Sequence, residues 1–418
     1  MPSMYDLIVV GGGAAGFFGA IQAAGLNPHL KIVILEKSGK LLSKVKVSGG
    51  GRCNVTHHEF NVKALAHHYP RGEKTLRSLF QKFQAKDVVA WFEQKGIALK
   101  TEGDGRMFPT TNTSQTIIDC FLSEAKKRNV EIRLNEAVTD IQRLQDTLSI
   151  STATGKTVEA KNVLVAIGGH PQRSSYEWIE KLGHTITPLV PSLFTFNDPS
   201  KRFISLMGVA VDNGLVRIAG TKFLQQGPVL ITHWGLSGPA VIKLSAWAAA
   251  WLHRVNYEFT VLISWIGNRK EEELRDELNS LKNTRPKLSV SGNPLFQLPQ
   301  RLWTKLCEEA EIEEKKIWGE LSNRNLNKLI EQLIRCPLNM KGKTTFKEEF
   351  VTCGGVEMNE INLETMESKF IPGLYFAGEV LNIDGETGGF NFQSAWTTAW
   401  VAAQHIAQKE KAGSSPRP

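Results

Sequence analysis

Apolar runs and helical patterns alternate at the start of the chain. Tyr5–Val10 is an apolar run rich in β-branched residues, which is typical of a strand buried in a parallel sheet. A glycine cluster follows, and then small residues predict a helix from about Ala14 to Ala24. A second apolar strand, Lys31–Leu35, ends at Glu36. The order strand, turn, helix, strand predicts the first unit of a doubly wound α/β sheet.

The same kind of pattern continues to about residue 190. Apolar residues recur at helical spacing over Leu76–Lys95 and Thr113–Arg128. Further strands are predicted over three segments: Val130–Leu134, Thr147–Thr152 and Asn162–Ile167.

The pattern changes near Pro188. From there to about Ile266, alternating segments broken by Gly and Pro predict an antiparallel sheet or a small barrel. Charged amphipathic helices then predict an insertion, over Lys270–Leu281, Pro299–Ala310 and Asn325–Ile334. Strand-like sequence resumes over Thr344–Cys353, and a last buried strand, Leu374–Ala377, precedes a helix from about Asn391 to Gln408.

Composition narrows the class of protein. The 418 residues include 41% apolar and 22% charged residues, which excludes a disordered or collagenous chain. The five Cys form no CxxC pair, which disfavours structural zinc, so no metal site is expected. The odd number of Cys and the absence of a long apolar run or signal peptide predict a cytoplasmic protein that does not act at a membrane.

The first glycine cluster has the spacing of a dinucleotide-binding turn. Gly11, Gly13 and Gly16 satisfy G-x-G-x-x-G between a predicted strand and a predicted helix. Glu36, at the end of the next strand, is placed to bind the adenosine ribose hydroxyls. We therefore expect dinucleotide binding rather than an ordinary glycine-rich turn.

Four further segments favour a flavin over NAD alone. Ser48–Asn54 contains three consecutive glycines and Arg52, and Gly168-Gly169 follows a strand. Gly378-Glu379 follows the last strand, where a carboxylate can hold the ribityl hydroxyls. The run Gly388–Gln393 opens the last helix, whose N-terminal amides could stabilise the anionic reduced flavin. No second dinucleotide motif follows a strand, so a separate NAD(P) domain is not expected.

These motifs match those of a known family. The chain resembles the BaiN/YhiN-like flavoproteins, often labelled aminoacetone-oxidase-type FAD-binding enzymes, over nearly its whole length. The segments that carry the resemblance are Ser48–Asn54, Gly105–Pro109, Leu230–Pro239, Val351–Val356, Met366–Lys369 and Gly373–Ala395. Two departures are visible. Leu42-Ser43-Lys44 replaces the usual Gly-Arg-Lys, and Ala166-Ile167-Gly168-Gly169 replaces Ala-Thr-Gly-Gly.

The resemblance implies an α/β fold with a glutathione-reductase-like (Rossmann-type) FAD-binding domain built from both chain ends. It also implies an inserted β-barrel domain and a small helical domain. The expected boundaries are 1–190 and 353–418 for the FAD-binding domain, 191–267 and 336–352 for the barrel, and 268–335 for the helical insert.

The residues expected to contact FAD lie in these motifs and close to them. They are Gly11, Gly13, Ala14, Ala15, Gly16, Glu36, Lys37, Lys44, Ser48, Gly49, Gly50, Gly51, Arg52, Cys53, Asn54, Val138, Ala166, Gly168, Gly169, Gly378, Glu379, Gly388, Gly389, Phe390, Asn391 and Gln393.

Two residues are candidates for catalysis. His233 lies in a motif-matched loop and suits proton transfer, although it could equally position its own loop by hydrogen bonds. Arg106 could anchor an acidic substrate or simply pair with Glu102 or Asp104. Cys53 has no resolving Cys nearby in sequence, so a disulfide mechanism is not expected.

The main functional hypothesis is an FAD-dependent oxidoreductase that acts on a small organic substrate, with NAD(P)H, docked transiently, or oxygen as electron partner. The alternative is a nucleic-acid-associated flavoprotein, active in tRNA modification or redox sensing, which the net charge of +8 and a basic helical insert suggest. Residues 348–390 argue against it, since they carry nine acids and one base, and no aromatic–basic interleaving is visible. No nucleic-acid partner is therefore expected. The sequence does not indicate the oligomeric state.

Overall fold

The computed structural model describes residues 4–344 and 351–414, and the chain divides into two units. The first unit comprises residues 1–191 and 347–418, so that both chain ends belong to it, and the second comprises residues 192–346. Each unit has its own hydrophobic core.

The elements up to residue 192 are β1 (Met4–Val10), α1 (Ala14–Leu26), β2 (Ile32–Leu35), α2 (Ser43–Gly51), β3 (Thr56–His57), α3 (Val62–His67), α4 (Glu73–Leu79), α5 (Ala85–Gln94), β4 (Leu99–Thr101), β5 (Arg106–Pro109), α6 (Gln115–Lys127), β6 (Glu131–Arg133), β7 (Val138–Arg143), β8 (Leu148–Thr152), β9 (Thr157–Val165), α7 (Glu177–Lys181) and β10 (Val190–Ser192). The second unit continues with β11 (Thr195–Asn197), β12 (Ala210–Ile218), β13 (Leu224–Ile231), β14 (Gly235–Ser237), α8 (Pro239–Arg254), β15 (Glu258–Ser264), α9 (Glu271–Thr284), α10 (Gln300–Glu309), α11 (Asn323–Ile334), β16 (Cys336–Lys341) and β17 (Lys343–Thr344). The first unit resumes with β18 (Val351–Cys353), β19 (Leu374–Phe376) and α12 (Phe390–Ser414).

The main sheet of the first unit has the order β6-β2-β1-β9-β8-β7, and β19 also pairs with β9. Strands β6, β2, β1, β9 and β19 are parallel, whereas β7 and β8 run antiparallel to their neighbours. The four residues of β2 and the three of β19 are all buried, as expected for strands covered on both faces. The predicted doubly wound sheet is thus confirmed.

The helices α1 and α12 pack against each other beside this sheet. Aromatic rings fill the space between them and their neighbours, with Phe18 centred 5.0 Å from Trp91 and 5.4 Å from Trp396. The N-terminal and C-terminal segments therefore share one core.

The second unit contains a seven-stranded sheet with the order β16-β15-β12-β13-β14-β11-β17. The two edge strands, β16 and β17, are consecutive in the chain and are separated only by Gly342. The sheet therefore curls until its edges meet, which gives a barrel-like form. Helices α9, α10 and α11 lie between β15 and β16 in sequence, and their apolar faces join the same core.

Two sequence predictions were wrong in detail. The stretch from Pro188 to Ile266 is not all sheet, because Pro239–Arg254 forms the helix α8, with Pro239 in its first turn. The single helical pattern over Leu76–Lys95 is two helices, and at the start of the second the Gln84 N–H donates to the Asp87 carboxylate at 2.8 Å. The strand predicted over Thr344–Cys353 is described only at its ends, because residues 345–350 lie outside the described residues.

A buried histidine ties two loops of the first unit together. His184 Nδ1 lies 3.0 Å from Glu360 Oε2, and His184 Nε2 lies 2.8 Å from Ser368 Oγ. The hydroxyl of Ser368 accepts the backbone N–H groups of residues 370 and 371, so it donates its own proton to Nε2. His184 is therefore neutral with its proton on Nδ1, and burial lowers the pKa of its ring despite the nearby carboxylate.

The His184→Leu variant should be less stable, because Glu360 and Ser368 would lose a partner inside the protein. We expect a loss of about 1–3 kcal/mol in the free energy of unfolding.

The wild-type protein should also lose stability as the pH falls through 6.5, since the unfolded imidazole binds a proton there and the folded one resists it. Thermal melts from about pH 7.5 to about pH 5.5 should show a shallower decrease for the variant. The same change at the exposed His29 is the control, and an equal loss there would contradict the assignment.

Candidate functional site

The predicted cofactor segments meet at one edge of the main sheet. Val10 is in register with Leu35 on one side and with Val165 on the other, and Val165 is in register with Phe376. Because these four strands are parallel, the residues that follow them lie side by side at their carboxyl ends. This edge is where open α/β sheets bind ligands.

Two glycines of the first glycine turn are required by the packing of the protein, whether or not a ligand is bound. Gly11 has a φ of +111°, and an added Cβ would lie 2.5 Å from the Ala166 carbonyl oxygen. A Cβ at Gly16 would lie 2.0 Å from the Gly11 carbonyl oxygen. These two positions allow the strand, the turn and α1 to approach one another closely.

Gly13 differs from both. Its φ of −93° and ψ of −168° are open to any residue, and an added Cβ would meet no atom within 4 Å. It occupies the N-cap of α1, where Ser, Asn or Asp would stabilise the helix, and no side chain caps that helix. Packing and backbone conformation therefore give no reason for a glycine here. Open space in front of uncapped N–H groups, including those of Ala14 and Ala15, fits an anionic ligand.

Glu36 holds the turn from the neighbouring strand. One of its carboxylate oxygens accepts the Gly12 N–H at 2.8 Å, and the other accepts the N–H and hydroxyl of Ser38 at 2.9 and 2.8 Å. Lys37 is exposed beside it, and Val138 is half-buried at the start of β7. The structure thus brings Glu36 to the glycine turn, as the motif requires.

The Ser48–Asn54 segment is a kinked loop at the end of α2. Gly49, Gly50 and Gly51 have φ values of +58°, +68° and +82°, and a Cβ at Gly50 or Gly51 would meet nothing within 4 Å. Arg52 pairs with Glu102 at 2.6 Å and lies 4.0 Å from the centre of the Phe108 ring. The loop therefore has a fixed shape and leaves an open glycine face.

Cys53 and Asn54 point into the protein. Cys53 is fully buried, and burial raises the pKa of its thiol to about 12, so it is not a thiolate. When the Asn54 amide is oriented to satisfy both of its ends, its oxygen accepts the Gly389 N–H at 2.9 Å and its nitrogen donates to the Thr56 carbonyl at 3.0 Å. Asn54 thereby links this loop to the start of α12.

Glu379 brings three other segments together. Its carboxylate accepts the Lys44 ammonium at 2.6 Å and the Thr352 N–H at 2.9 Å. A Cβ at Gly169 would lie 2.4 Å from the same carboxylate, whereas one at Gly168 would meet nothing. Among the described residues, the Thr352 hydroxyl is buried and has no partner, so a polar atom is left available beside Glu379.

The start of α12 closes the other end of the site. A Cβ at Gly389 would lie 2.5 Å from the Thr56 carbonyl oxygen, so β3 passes directly against this turn. The side chains of Asn391 and Gln393 hydrogen-bond within the protein, to Gly385 and Thr397 respectively. The N-terminal amides of a long helix, rather than these side chains, thus face the site.

Three residues at this turn were missed by the sequence analysis. The rings of His57 and His68 stack on Phe390, with centroids 4.7 and 4.2 Å away, and His68 Nδ1 lies 3.2 Å from Glu386 Oε2. His57 Nδ1 is buried without a partner among the described residues, and burial lowers the pKa of this ring. No motif in the sequence marks these residues, because only the fold brings β3 and α3 to Phe390.

The two catalytic candidates have different surroundings. Arg106 pairs with Asp104 at 2.7 Å and with Glu102 at 3.1 Å, which is the alternative that the sequence analysis left open. His233 is exposed and belongs to the second unit, where its ring lies 4.6 Å from that of Trp234. Across residues 4–344 and 351–414, no cluster of three or more His, Cys, Asp or Glu side chains is placed to hold a metal ion.

A parallel sheet with an uncapped glycine turn, an acid on the next strand and open glycine faces defines an FAD-binding flavoprotein of the Rossmann type. A family model described as the HI0933-like protein Rossmann domain matches residues 5–405. The chain belongs to this family. FAD is its cofactor, and it is a flavin oxidoreductase. The resemblance found in the sequence is confirmed.

Two curated proteins are similar along the whole chain. Ribosomal RNA dihydrouridine synthase of Escherichia coli strain K12 is 30% identical over 413 residues, which cover 96% of this chain and 98% of that protein. The 3-dehydro-bile acid delta(4,6)-reductase of Clostridium scindens is 25% identical over 409 residues, with coverage of 96% and 98%.

Solved structures show the same fold. The 3-ketosteroid delta1-dehydrogenase from Sterolibacterium denitrificans matches with a TM-score of 0.51 at 12% identity, covering 97% of this chain and all of that one. No helix among the described residues has the length and apolar character needed to cross a membrane.

The Gly13→Asp variant separates cofactor binding from folding. Asp is a better N-cap than Gly, so the apoprotein should be as stable as the wild type or slightly more stable. Its charge would repel a pyrophosphate bound at this turn, which predicts that the affinity for FAD falls by about 100-fold. Flavin absorbance per chain and thermal melts of the apoprotein measure the two effects.

The matched control is Gly16→Ala, whose methyl group would collide with the Gly11 carbonyl. It should lower the stability of the apoprotein, which Gly13→Asp should not. Normal flavin content in Gly13→Asp would contradict a pyrophosphate at this turn.

Proposed function

We propose that FAD lies along the carboxyl edge of the main sheet, with its pyrophosphate at the N-terminus of α1 and its isoalloxazine towards the start of α12. Gly13 carries this proposal, because neither packing nor backbone conformation requires glycine there. Gly50, Gly51 and Gly168 present open faces in the same way. Lys44 and Glu379 neutralise each other, so the site attracts the pyrophosphate mainly through backbone N–H groups.

We propose further that the reaction is the reduction of a carbon–carbon double bond conjugated to a carbonyl group. FAD held here and first reduced by the electron partner would supply a hydride to one carbon, and a proton must reach the other. The names of both curated relatives describe this change, since dihydrouridine is uridine with two hydrogens added across its ring double bond and the other relative reduces a dienone. The electrons come from a nicotinamide that docks transiently, because the sequence contains no second dinucleotide motif.

Uracil in ribosomal RNA is the substrate that we favour. The relative that acts on ribosomal RNA has 30% identity along the whole chain, against 25% for the bile-acid reductase. The charge supports an RNA substrate: the second unit carries 21 Lys and Arg and 15 Asp and Glu, which accounts for +6 of the total +8. This favours the nucleic-acid alternative, despite the acidic residues of segment 348–390.

The excess of basic over acidic residues does not lie in the helical segment 268–335, although that segment was expected to be basic. Residues 268–335 contain 13 bases and 12 acids, whereas the remainder of the second unit contains eight bases and three acids. Many charges of the helices are also paired, as Arg275 is with Glu271 and Lys305 is with Glu309. An RNA contact would therefore involve this remainder, which comprises the strands of the unit and α8 and which we call its strand-forming part.

A small dienone is the second candidate substrate. It agrees with the main hypothesis from the sequence, an oxidoreductase that acts on a small organic substrate. The observation in its favour is that the bile-acid reductase matches over 98% of its own length. Arg106 is poorly suited to anchor an anionic group of either substrate, because Glu102 and Asp104 already neutralise it. His233 remains the proposed proton-transfer residue.

An assay with both substrates tests the proposed function. The purified protein, loaded with FAD and given NADH or NADPH without oxygen, should convert uridine to dihydrouridine in ribosomal RNA from an Escherichia coli strain that lacks its own synthase. Nucleoside mass spectrometry should detect the two added hydrogens, and Gly13→Asp should abolish them. Product formed only from a 3-dehydro-4,6-diene bile acid would favour the second candidate, and product from neither substrate would contradict the proposal.

A further inference from the structure

Two loops of the second unit carry side chains that the fold does not use. Lys201 and Ile204 lie on the loop that precedes β12, and His233 and Trp234 form the turn between β13 and β14. All four line one cleft, and we call them the Trp234 platform.

The backbone beneath the platform is rigid. The Thr232 N–H donates to the Gly235 carbonyl at 2.8 Å, which closes the turn, and a Cβ at Gly235 would lie 2.4 Å from the Phe196 carbonyl oxygen. The Asp198 N–H donates to the Trp234 carbonyl at 2.8 Å and so joins the two loops. The carboxylate of Asp198 in turn accepts the N–H groups of Ser200 and Arg202.

The side chains on this rigid backbone are exposed. Trp234 is 49% exposed and Ile204 is 44% exposed, and the nearby Met207 is 57% exposed. Gly235 already provides the backbone conformation of the turn, so the turn does not need the ring of His233 or that of Trp234 to keep its shape. An exposed aromatic side chain on a fixed turn is typical of a binding surface.

Lys201 is the charge at the platform that favours an anionic partner, because the Asp198 carboxylate in the same cleft is buried and bound to backbone N–H groups. Lys201 is exposed and forms no ion pair among the described residues, and its φ of +53° holds it in a conformation that is uncommon outside glycine. Arg202, by contrast, is held by Glu309 at 2.9 Å and by Gln332 at 2.7 Å. The platform thus combines an available cation with aromatic and aliphatic surface.

We infer that the Trp234 platform binds an unpaired nucleotide of the substrate RNA, with its base stacked on Trp234 and its phosphate at Lys201. This inference rests on the proposed reduction of uracil in RNA. Aromatic faces with neighbouring cations are how proteins hold single-stranded nucleic acid without reading its sequence. The basic excess in the strand-forming part of this unit complements such a partner.

Binding of a fluorescein-labelled single-stranded RNA to the FAD-loaded full-length protein, followed by fluorescence anisotropy, tests the inference. Trp234→Ala should weaken binding roughly 5- to 100-fold, and Trp234→Phe should restore most of it because it retains a stacking face. Trp234→Leu, which is apolar but has no ring, should bind as weakly as Trp234→Ala. Lys201→Gln should reduce the slope of log affinity against log salt by about 0.7.

Leu224→Ala is the matched control, since Leu224 is 44% exposed on the same unit but lies at the opposite end of β13. It should bind RNA as the wild type does. Unchanged RNA affinity in Trp234→Ala, or full binding by Trp234→Leu, would overturn the platform. If the wild type formed dihydrouridine while Trp234→Ala kept its RNA affinity, the inferred role of the platform would be wrong and the proposed function would stand. If the wild type formed none, the proposed function would fail whatever the binding result.

Discussion

The site depends on the pairing of β9 with both β1 and β19, because this pairing joins the two ends of the chain in one sheet. Close packing of α1 makes that arrangement possible. A Cβ at Gly19 would lie 2.6 Å from Leu164 Cδ2, and one at Gly378 would lie 2.8 Å from the Cβ of Ala15. Small residues at these contacts let α1 approach both β9 and the segment after β19. Without them, the glycine turn and Glu379 would not meet at the same edge.

A consequence of this construction is that the proposed cofactor site consists largely of backbone. The carboxylates of Glu36 and Glu379 and the amide of Asn391 all accept hydrogen bonds from the protein, which fixes the loops around the open glycine faces. Backbone N–H groups at two helix N-termini then supply fixed partial positive charge, which does not have to reorganise when an anionic cofactor binds. Such a site recognises a flavin dinucleotide, but it contains little that could distinguish one substrate from another.

The sequence predicted those parts of the molecule that have local signatures. The buried strands and the glycine motif of the first unit were visible because apolar runs and glycine spacing are properties of short segments. The helix α8 was missed because its Ala-rich sequence lacks a clear helical period within a region of alternating strands. The stacking of His57 and His68 on Phe390 had no signature at all, since both histidines lie more than 320 positions before Phe390 and only the tertiary fold unites them. Exposure is equally invisible in a sequence, so nothing separated Trp234 from the buried Trp265.

The choice of substrate must therefore depend on residues outside the glycine motifs. Uracil and a bile-acid dienone share only a double bond conjugated to a carbonyl, so one flavin site can serve either of them. A steroid skeleton favours an enclosed apolar pocket, whereas a nucleotide within RNA needs an aromatic face and a cation close to open solvent. The second unit of this chain has the latter combination, on a turn held rigid by Thr232 and Gly235. The proposed reaction thus depends on the flavin held by the first unit, and the proposed preference for RNA depends on the charge and exposed rings of the second.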